Sequence, residues 1–320
     1  MVTAAEVAPG TQALEDEGPR SPAVAVTGST GFVGEPLVHS LRQAGYRVVR
    51  ISRGDRSEAG WVRWDPRRGV LDPSSIEGLH AVVHLAGEPI AGVRWTSSKK
   101  QEILRSREES TLLLSRALAA LEHRPAVFLS ASAVGFYGDR GSERLTETSG
   151  EGKGFLADVC RRWERAAHLE EGLGIRTVLL RTGQVLSPRG GLLRAVLLPF
   201  RLGLGGRIGS GRQYVSWVDL DDAIEMIIHA LADEELRGPV NVTAPGPVPN
   251  ATFIDVLGRV LGRPTLLPMP SMAVRAFLGE MGRELLLSGQ RVIPERALAT
   301  GYQFRFPDLE HALRHQLALP

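Results

Sequence analysis

Short, continuous apolar runs recur along most of the chain, and amphipathic stretches separate them. Runs without polar alternation are typical of strands that are covered on both faces of a parallel sheet. Stretches with apolar positions three and four residues apart are typical of the helices that cover such a sheet. The strands predicted in this way are residues 23–27, 46–52, 61–65, 81–85, 126–130, 175–181 and 239–243.

The predicted helices lie between or after these strands, at residues 32–44, 70–79, 97–122, 154–171, 220–232, 252–261 and 272–287. Because strand and helix alternate repeatedly, the pattern predicts an α/β fold with a doubly wound parallel sheet. A smaller, mostly helical region is expected in the C-terminal part, where the composition changes after Ser187.

The first strand ends in a turn with three evenly spaced glycines. In such a turn the first two glycines let the backbone approach a pyrophosphate, and the third lets the helix pack closely on the strand. Free amides at the start of that helix face the phosphates. A strand, a glycine turn and a helix in this order predict a Rossmann-type dinucleotide site. The residues assigned to it are Gly28, Ser29, Thr30, Gly31, Phe32, Val33 and Gly34.

The end of the second strand indicates which dinucleotide binds. NAD-specific folds carry an acidic residue there for the ribose 2′-hydroxyl, whereas this chain has Ser52 and Arg53. A hydroxyl and a guanidinium suit a 2′-phosphate and therefore predict NADP(H). The competing interpretation makes Asp55 the ribose ligand and Arg53 a solvated loop residue. Asp65, which follows Trp64, is the candidate acceptor for the adenine; a half-buried tryptophan at a strand edge is the alternative.

Ligands of doubly wound sheets lie beyond the carboxyl ends of the strands, so residues at these ends are further cofactor candidates. Arg107 follows on the next helix and faces either the nicotinamide half of the cofactor or the solvent. His84 lies inside an apolar run and is interpreted as a core histidine. The further residues assigned to the cofactor are Leu85, Ala86, Gly87, Arg107, Ser130 and Arg181.

We expect the dinucleotide-binding domain to span residues 21–187, with 212–243 contributing to it, and the substrate region to span 188–320. Proline spacing after residue 263 indicates a small terminal domain at about 264–315. Residues 203–211 form a glycine-dense loop, which suits a substrate lid or a plain surface loop. Three polar residues in and after this loop are the predicted substrate ligands: Arg207, Arg212 and Gln213.

Composition excludes several functions. Lys and Arg number 38 and Asp and Glu 36, so no global field favours nucleic acid or an anionic membrane. No apolar run is long enough to span a bilayer. The single cysteine, Cys160, excludes an internal disulfide and a thiolate-rich metal site, and we expect no metal. Residues 1–20 are predicted to be a disordered tail, and the expected compartment is the cytoplasm. We expect a small-molecule substrate, and the sequence allows a homodimer.

The chain resembles the extended short-chain dehydrogenases/reductases, the superfamily of the nucleotide-sugar epimerases. More narrowly, it is similar to an atypical branch called epimerase-family proteins. The resemblance covers residues 24–313 and implies an NAD(P)-binding fold with a small C-terminal domain. It rests on motifs at residues 27–34, 84–90, 94–95, 132–141, 155–164, 181–183, 199–206 and 216–222.

The resemblance also implies a departure from the usual active site. Extended members carry a Tyr-x-x-x-Lys pair on the helix after the fifth strand, and these positions hold Leu156 and Cys160 here. The atypical branch shares this departure. Ser132 matches the catalytic serine of the superfamily, and Tyr137 is the nearby phenol. Ser132 is therefore the candidate for polarising a carbonyl, and Tyr137 is the candidate acid/base group. The alternative for Tyr137 is a tyrosine that packs under the loop with its hydroxyl bonded to the backbone.

Two functions follow. The first is an NADP(H)-dependent oxidoreductase or epimerase on a small carbonyl or hydroxyl compound or a nucleotide-sugar-like substrate. The second is an NADP(H)-binding redox sensor or a scaffold related to cell division, without turnover. The arginines near the glycine-dense loop favour the enzyme, since a sensor needs no substrate ligands.

Overall fold

The structure is a computed structural model that describes residues 21–54, 59–92 and 94–319. The predicted disordered tail at 1–20 and the competing ribose ligand Asp55 lie outside the described residues. We report the fold for the described part of the chain only.

A large, mostly parallel sheet forms the centre of the molecule. Its strand order is β12-β8-β6-β5-β1-β2-β3-β4, and every pair is parallel except the edge pair of β3 and β4. The neighbours of β1 are β2 and β5, so the chain reverses its direction of progress across the sheet at this point. The strands are β1 (Ala23–Thr27), β2 (Arg47–Ser52), β3 (Trp61–Asp65), β4 (Val70–Leu71), β5 (Ala81–His84), β6 (Val127–Ala133), β8 (Arg176–Thr182) and β12 (Gly238–Val242).

Helices cover both faces of this sheet. The apolar side chains of α1 and α5 pack on one face, and those of α2 pack on the other. The core therefore consists of two layers that meet at the sheet, as the uninterrupted apolar strands predict. The helices are α1 (Gly34–Gln43), α2 (Ser97–Ala119), α3 (Phe155–Ala166), α4 (Gly191–Arg201), α5 (Leu220–Ala232), α6 (Asn250–Leu261), α7 (Ser271–Gly282), α8 (Glu295–Ala299) and α9 (Leu309–Gln316).

The predicted helix at residues 70–79 is wrong. Val70–Leu71 form the antiparallel edge strand β4, and a single 3-10 turn, Pro73–Ile76, follows. Asp72 accepts hydrogen bonds from the amide and the hydroxyl of Ser74, which stabilises this turn locally. A proline followed closely by a glycine leaves too few residues for a longer helix.

Helix α4 was not among the helices predicted from the sequence, and Pro199 lies inside it. Its buried side chains Leu193, Leu197 and Phe200 pack with Trp217 and Phe253 in a separate cluster. This tertiary packing stabilises a helix whose sequence carries a breaker near its end.

The C-terminal segment, which we define as residues 264–319, packs on the part of the chain that forms the central sheet and also on α4 and α6. Met281 packs with Trp95 and Val159, whereas Ala297 belongs to the main core. Leu313 on α9 belongs to the cluster of α4 and α6. Short strands β7 (Arg144–Leu145) and β14 (Arg291–Val292) also pair, in parallel. The segment is therefore joined to the rest of the chain at several separate places. The remaining short strands are β9 (Gln184–Leu186), β10 (Tyr214–Val215), β11 (Trp217–Asp219) and β13 (Val248–Pro249).

Candidate functional site

The glycine turn after β1 leaves no room for side chains. Gly28 has φ +67°, and a Cβ on it would lie 2.9 Å from the backbone nitrogen of Ala86. A Cβ on Gly34 would lie 2.1 Å from the carbonyl oxygen of Gly28, which is far inside contact distance. The amide of Gly31 donates to the same oxygen, at 2.9 Å. The turn therefore holds the start of α1 close to the end of β1, the arrangement that accepts a pyrophosphate.

The other residues predicted for the turn are partly open and partly buried. Gly31, Thr30 and Phe32 are exposed, whereas Ser29 is buried and its hydroxyl has no hydrogen-bond partner among the described residues. The ring of Phe32 lies against Gly190, where a Cβ would come within 2.4 Å of the ring. The segment that begins α4 therefore approaches the turn from outside the sheet.

A buried hydrogen-bond chain connects β1 to β5 at this edge. The Thr27 hydroxyl oxygen accepts hydrogen bonds from the amides of Leu85 and Ala86, and it contacts His84 Nδ1 at 2.7 Å. His84 Nε2 lies 3.0 Å from the Thr111 hydroxyl. Burial lowers the pKa of His84 to about 3, so the ring is neutral at physiological pH. His84 is a core histidine, as expected, and it fixes the position of the strand end at residues 85–87.

The adenosine-side candidates lie at the ends of β2 and β3. Ser52 is half-buried and Arg53 is exposed, so Arg53 can reach a ligand at this edge. Trp64 is only 3% exposed, and its ring is perpendicular to that of His84. The sequence left open an indole that flanks the adenine or one that is half-buried at a strand edge, and this buried position is neither of the two. The Asp65 carboxylate accepts a hydrogen bond from the Arg67 amide in the turn after β3.

A cavity of about 210 Å3 lies beyond the carboxyl ends of β6 and β8, and we call it the inner cavity. One wall comes from the residues after β6 and from α3, and the other from the residues after β8. The C-terminal segment closes it with Glu284, Leu285, Leu286, Ser288 and Gln290. Its further lining residues are Ile90, Arg107, Ala133, Val134, Gly135, Leu156, Val159, Cys160, Trp163, Thr182, Gly183, Gln184, Leu192, Ile208, Gln213, Tyr214, Val215, Ser216 and Asn250.

Arg107 faces this cavity and not the solvent. Its Nη1 donates to the carbonyl oxygens of Glu88 and Ile103, at 2.9 and 3.3 Å. The guanidinium carbon lies 4.9 Å from the ring centroid of Trp163, and a Cβ on Gly87 would lie 3.2 Å from it. The cation is therefore held at the end of β5, next to the strand-end residues predicted for the cofactor.

Both positions of the missing Tyr-x-x-x-Lys pair line the inner cavity. Leu156 gives it an apolar surface, and Cys160 contributes a buried thiol. Burial raises the pKa of Cys160 to about 12, so the thiol stays neutral at physiological pH. Neither side chain supplies the proton chemistry of the usual pair.

The structure places both residues of the predicted catalytic pair, Ser132 and Tyr137, in a buried hydrogen-bond network. Ser132 is buried, and its hydroxyl donates to Glu164 Oε1 at 2.7 Å. Tyr137 is fully buried; its hydroxyl donates to Asn241 Oδ1 at 2.7 Å and accepts from Arg181 Nη1 at 3.0 Å. Burial raises the pKa of the Tyr137 phenol, which further disfavours proton release. Neither residue is among those that line the inner cavity, so neither reaches a substrate held there.

Two further strand-end predictions also fall on buried residues. Arg181 is oriented into the same buried network, where its guanidinium binds Glu164 through two nitrogens, at 2.8 Å each. It also lies 3.5 Å from the ring centroid of Phe136. Ser130 is fully buried on β6. The guanidinium donors of Arg181 are thus directed to Glu164 and Tyr137 inside the protein.

The three predicted substrate ligands have different surroundings. Arg207 and Arg212 are exposed and do not line the inner cavity, so the structure does not bring them to it. Gln213 does line it, but its Nε2 donates to the carbonyl oxygens of Ile208 and Leu286, at 2.9 Å each. Gln213 therefore joins the glycine-dense loop to the C-terminal segment.

Sequence reasoning missed Glu284, which lines the inner cavity from the C-terminal segment. Its two carboxylate oxygens accept hydrogen bonds from the amides of Phe155 and Leu156, at 2.9 and 2.8 Å. Gly154 has φ +115°, and a Cβ there would lie 2.9 Å from the carboxylate. Glu284 therefore caps α3 from a distant part of the chain, and no local pattern around residue 284 indicates this contact.

Asp219, Asp221 and His315 bring three possible metal ligands together at another place. Gln316 Nε2 donates to both oxygens of Asp219, at 3.1 Å, and His315 Nε2 contacts Asp221 Oδ2 at 2.8 Å. These contacts join α9 to the start of α5, and we keep the prediction that the protein has no metal site. Within the described residues, no helix is long and apolar enough to cross a membrane.

The sheet order, the glycine turn and the cavity at the strand ends define a doubly wound, dinucleotide-binding α/β protein. The family model described as "NAD dependent epimerase/dehydratase family" matches residues 24–243, and a domain of unknown function, DUF1731, matches residues 269–316. The chain belongs to the NAD dependent epimerase/dehydratase family. The predicted fold and the predicted resemblance are confirmed.

Several named proteins are similar over nearly the whole chain. "Epimerase family protein Mb2239" of Mycobacterium bovis is 43% identical over 297 residues, which cover 93% of this chain and 98% of that protein. The crystal structure of human epimerase family protein SDR39U1 with NADPH has a TM-score of 0.84 at 37% identity, covering 92% and 99% of the two chains. A nucleoside-diphosphate sugar epimerase from Corynebacterium glutamicum has a TM-score of 0.77 at 34% identity, covering 93% of this chain and 58% of that one.

Proposed function

We propose that the protein is an NADP(H)-dependent oxidoreductase or epimerase that acts on a small substrate bound in the inner cavity. The observation that carries this proposal is the position of Arg107, a half-buried cation in the wall of a cavity at the strand ends. A fold that only presented a dinucleotide to a partner would need no such enclosed space beside the cofactor site.

The glycine turn supports the cofactor assignment. Its backbone fits a pyrophosphate, because Gly28 and Gly34 leave no space that a Cβ could occupy. Arg53, exposed at the end of β2, suits the 2′-phosphate of NADP(H). The human relative crystallised with NADPH supports the same choice. Ser52 and residues 85–87, which follow the carboxyl end of β5, complete this proposed site. Asp65 stays the proposed acceptor for the adenine.

Arg107 takes the place of the absent lysine in this proposal. Arg107 and Cys160, at the lysine position, both line the inner cavity. A guanidinium there can hold a ribose hydroxyl and stabilise negative charge on a substrate oxygen. The bound NADP(H) supplies the hydride chemistry, and the protein orients the reacting groups and excludes water.

Proton transfer requires a different group from Ser132 or Tyr137. Two ionisable side chains that line the inner cavity are the Tyr214 phenol and the Glu284 carboxylate. Tyr214 lies on β10, and the guanidinium of Arg291 is 5.4 Å from its ring centroid. Both oxygens of Glu284 already accept backbone hydrogen bonds at the start of α3, so this carboxylate has a structural role. We therefore assign the proton transfer to Tyr214.

The test uses NADPH that carries deuterium at C4, incubated with the protein and a metabolite extract. We expect deuterium in one small metabolite, and we expect its transfer to be lost in Arg107→Met and strongly reduced in Tyr214→Phe. Arg116→Met, which removes an exposed cation from the same helix as Arg107, is the matched control. NADPH binding without transfer to any metabolite would contradict the oxidoreductase form of the proposal, because only a net reduction moves the label from NADPH to a substrate.

The apolar side chain at Leu156 favours a second candidate, cofactor binding without turnover. A protein that senses the redox state of NADP(H) requires the glycine turn but not a proton relay. The two candidates differ in one measurement: a sensor binds NADPH and NADP+ with different affinities and transfers no deuterium. Equal affinities together with transfer would exclude the sensor.

A further inference from the structure

A second cavity, of about 350 Å3, opens beside the inner cavity at the start of α3. We call it the outer cavity. It shares five lining residues with the inner cavity: Gly135, Leu156, Glu284, Ser288 and Gln290. A molecule whose reacting end lies in the inner cavity can therefore extend into the outer one. The other residues of the outer cavity are Gly138, Asp139, Lys153, Gly154, Ala157, Arg275, Arg283 and Leu287.

Three cations from two separate parts of the chain line the outer cavity. Lys153 precedes α3, whereas Arg275 and Arg283 come from α7 and the π-helical turn after it. Within residues 21–54, 59–92 and 94–319, neither Lys153 nor Arg275 has an ion-pair partner. Arg283 makes one contact, from Nη2 to Glu284 Oε1 at 3.4 Å.

The two carboxylates of the outer cavity both accept backbone hydrogen bonds, and of the two only Glu284 also pairs with one of these cations, Arg283. Glu284 accepts hydrogen bonds from the amides of Phe155 and Leu156. Asp139 accepts from the amides of Gly141 and Gly289, at 3.3 and 3.4 Å. The three cations therefore outnumber the two carboxylates, and within the described residues neither carboxylate forms an ion pair with Lys153 or Arg275, so these two can bind a ligand.

The backbone of Lys153 is held in one position. A Cβ on Gly138 would lie 2.7 Å from the Lys153 nitrogen, and a Cβ on Gly152 would lie 2.0 Å from the carbonyl oxygen of Tyr137. The amide of Gly152 donates to the carbonyl oxygen of Phe136, at 2.9 Å. The two segments therefore pack backbone against backbone, which fixes the base of the lysine side chain before any ligand binds.

We propose that the outer cavity is an anion subsite, in which Lys153, Arg275 and Arg283 bind a phosphate or carboxylate group at the end of the substrate away from its reacting carbon. Lysine and arginine both bind such groups through charge-assisted hydrogen bonds. The inference rests on the proposed function and narrows it to substrates that carry a negative charge. In this proposal, the cations that bind the substrate are those of the outer cavity and not Arg207 and Arg212.

The test measures binding directly, without turnover. The protein is first saturated with NADPH, so that the cofactor site cannot take up the probe, and is then titrated calorimetrically. The probes are glycerol 3-phosphate, glutarate and, as the uncharged control, glycerol. The double variant Lys153→Gln/Arg275→Gln is compared with Arg116→Gln/Arg263→Gln, which removes two exposed cations that line neither cavity.

We expect at least one anion to bind the wild-type protein and the control variant equally, and glycerol not to bind. The affinity of the Lys153/Arg275 variant for that anion should fall by about tenfold or more, since charge-assisted contacts are lost. Binding of glycerol 3-phosphate alone identifies a phosphate subsite, and binding of glutarate as well identifies a general anion subsite. Absence of binding by both anions, or equal affinity in the two variants, would overturn the proposal.

NADPH titration by fluorescence separates this result from the proposed function. If NADPH does not bind, the proposed function fails, and the anion titration is then made on the protein alone. If NADPH binds and the anion does not, the proposed function stands and the anion subsite fails.

Discussion

Arg181 and Glu164 form a two-point ion pair inside the protein, with side chains only 5% and 9% exposed. The pair connects β8 to α3, and Glu164 Oε1 also accepts the hydroxyl hydrogen of Ser132. The pair thereby holds Arg181, predicted for the cofactor, and Ser132, predicted for catalysis, in one buried network.

Removing one partner of this pair should lower the free energy of unfolding strongly. Arg181→Met leaves Glu164 buried without a counterion, and we expect a loss of about 3–5 kcal/mol in the free energy of unfolding. Urea denaturation measures it. The matched control is Arg259→Met, which removes an exposed pair with Glu310 and should cost at most about 1 kcal/mol. Similar losses in the two variants would contradict the structural role of Arg181.

Tyr137→Phe should change stability and leave cofactor binding unchanged. The variant loses the hydrogen bonds to Asn241 and Arg181, at a cost of about 1–3 kcal/mol, because both partners stay buried. The dissociation constant for NADPH should equal that of the wild type, since Tyr137 does not line the inner cavity. A stable Tyr137→Phe protein that binds NADPH and has lost all deuterium transfer would restore the catalytic role of this phenol.

Gly34→Ala should abolish NADPH binding or the fold around it. The added methyl group would lie 2.1 Å from the carbonyl oxygen of Gly28, which forces α1 away from the glycine turn. Fluorescence titration with NADPH and a thermal melt measure the two effects. Gly150→Ala is the matched control, because nothing lies within 4 Å of its Cβ position. Normal binding by Gly34→Ala would exclude the turn as the pyrophosphate site.

Arg53→Ala should reduce the preference for NADPH over NADH. A guanidinium that contacts the 2′-phosphate contributes about 1.5–3 kcal/mol, which corresponds to a loss of about tenfold or more in NADPH affinity. NADH binding should change little, since NADH lacks that phosphate. Titrations of both cofactors with Arg53→Ala and with Arg42→Ala, an exposed arginine on α1, give the comparison. Equal affinity of the wild type for the two cofactors would contradict the assignment.

Asp219 should make stability depend on pH. Burial raises its pKa to about 6, above the value of about 3.9 in an unfolded chain. The folded state therefore binds this proton more tightly, so its contribution is complete below about pH 4 and is lost as the pH rises through about 6. Asp219→Asn removes this contribution. Urea denaturation between about pH 4 and 7 should show that the wild type loses stability relative to Asp219→Asn as the pH rises.

A constant difference between the two proteins would refute this role. If the difference in unfolding free energy between the wild type and Asp219→Asn does not change between about pH 4 and 7, the raised pKa of Asp219 does not contribute to stability. Contributions from His84 cancel in this comparison, because His84 is present in both proteins.

The fold and the cofactor turn could be predicted because their signals are local. The apolar runs of β1, β5, β6 and β8 reflect burial on both faces of the sheet, which needs no knowledge of the partner strands. Gly34 is required by a backbone contact with Gly28, six residues earlier, and Gly28 is favoured by its own positive φ of +67°. The prediction of a helix at residues 70–79 failed because residues 70–71 form an edge strand and a 3-10 turn begins at Pro73.

The reacting site could not be predicted in the same way. Sequence placed Ser132 and Tyr137 at the end of β6, which is correct, but the direction of each side chain depends on Glu164, Asn241 and Arg181, which are distant in the chain. Whether Arg107 faced the cofactor or the solvent was likewise open, and packing against Trp163 decided it.

By itself, the sequence determined a doubly wound sheet, a glycine turn after its first strand, and the absence of the usual tyrosine and lysine. Each of these features depends on patterns of residues that are close together in the chain. Only the tertiary structure decided which polar side chains reach the cavity. It turned Arg181 inward, brought Arg107 to the cavity wall, and placed Glu284 at the start of α3. The physical reason is that buried charges must be paired, and their partners lie far away along the chain.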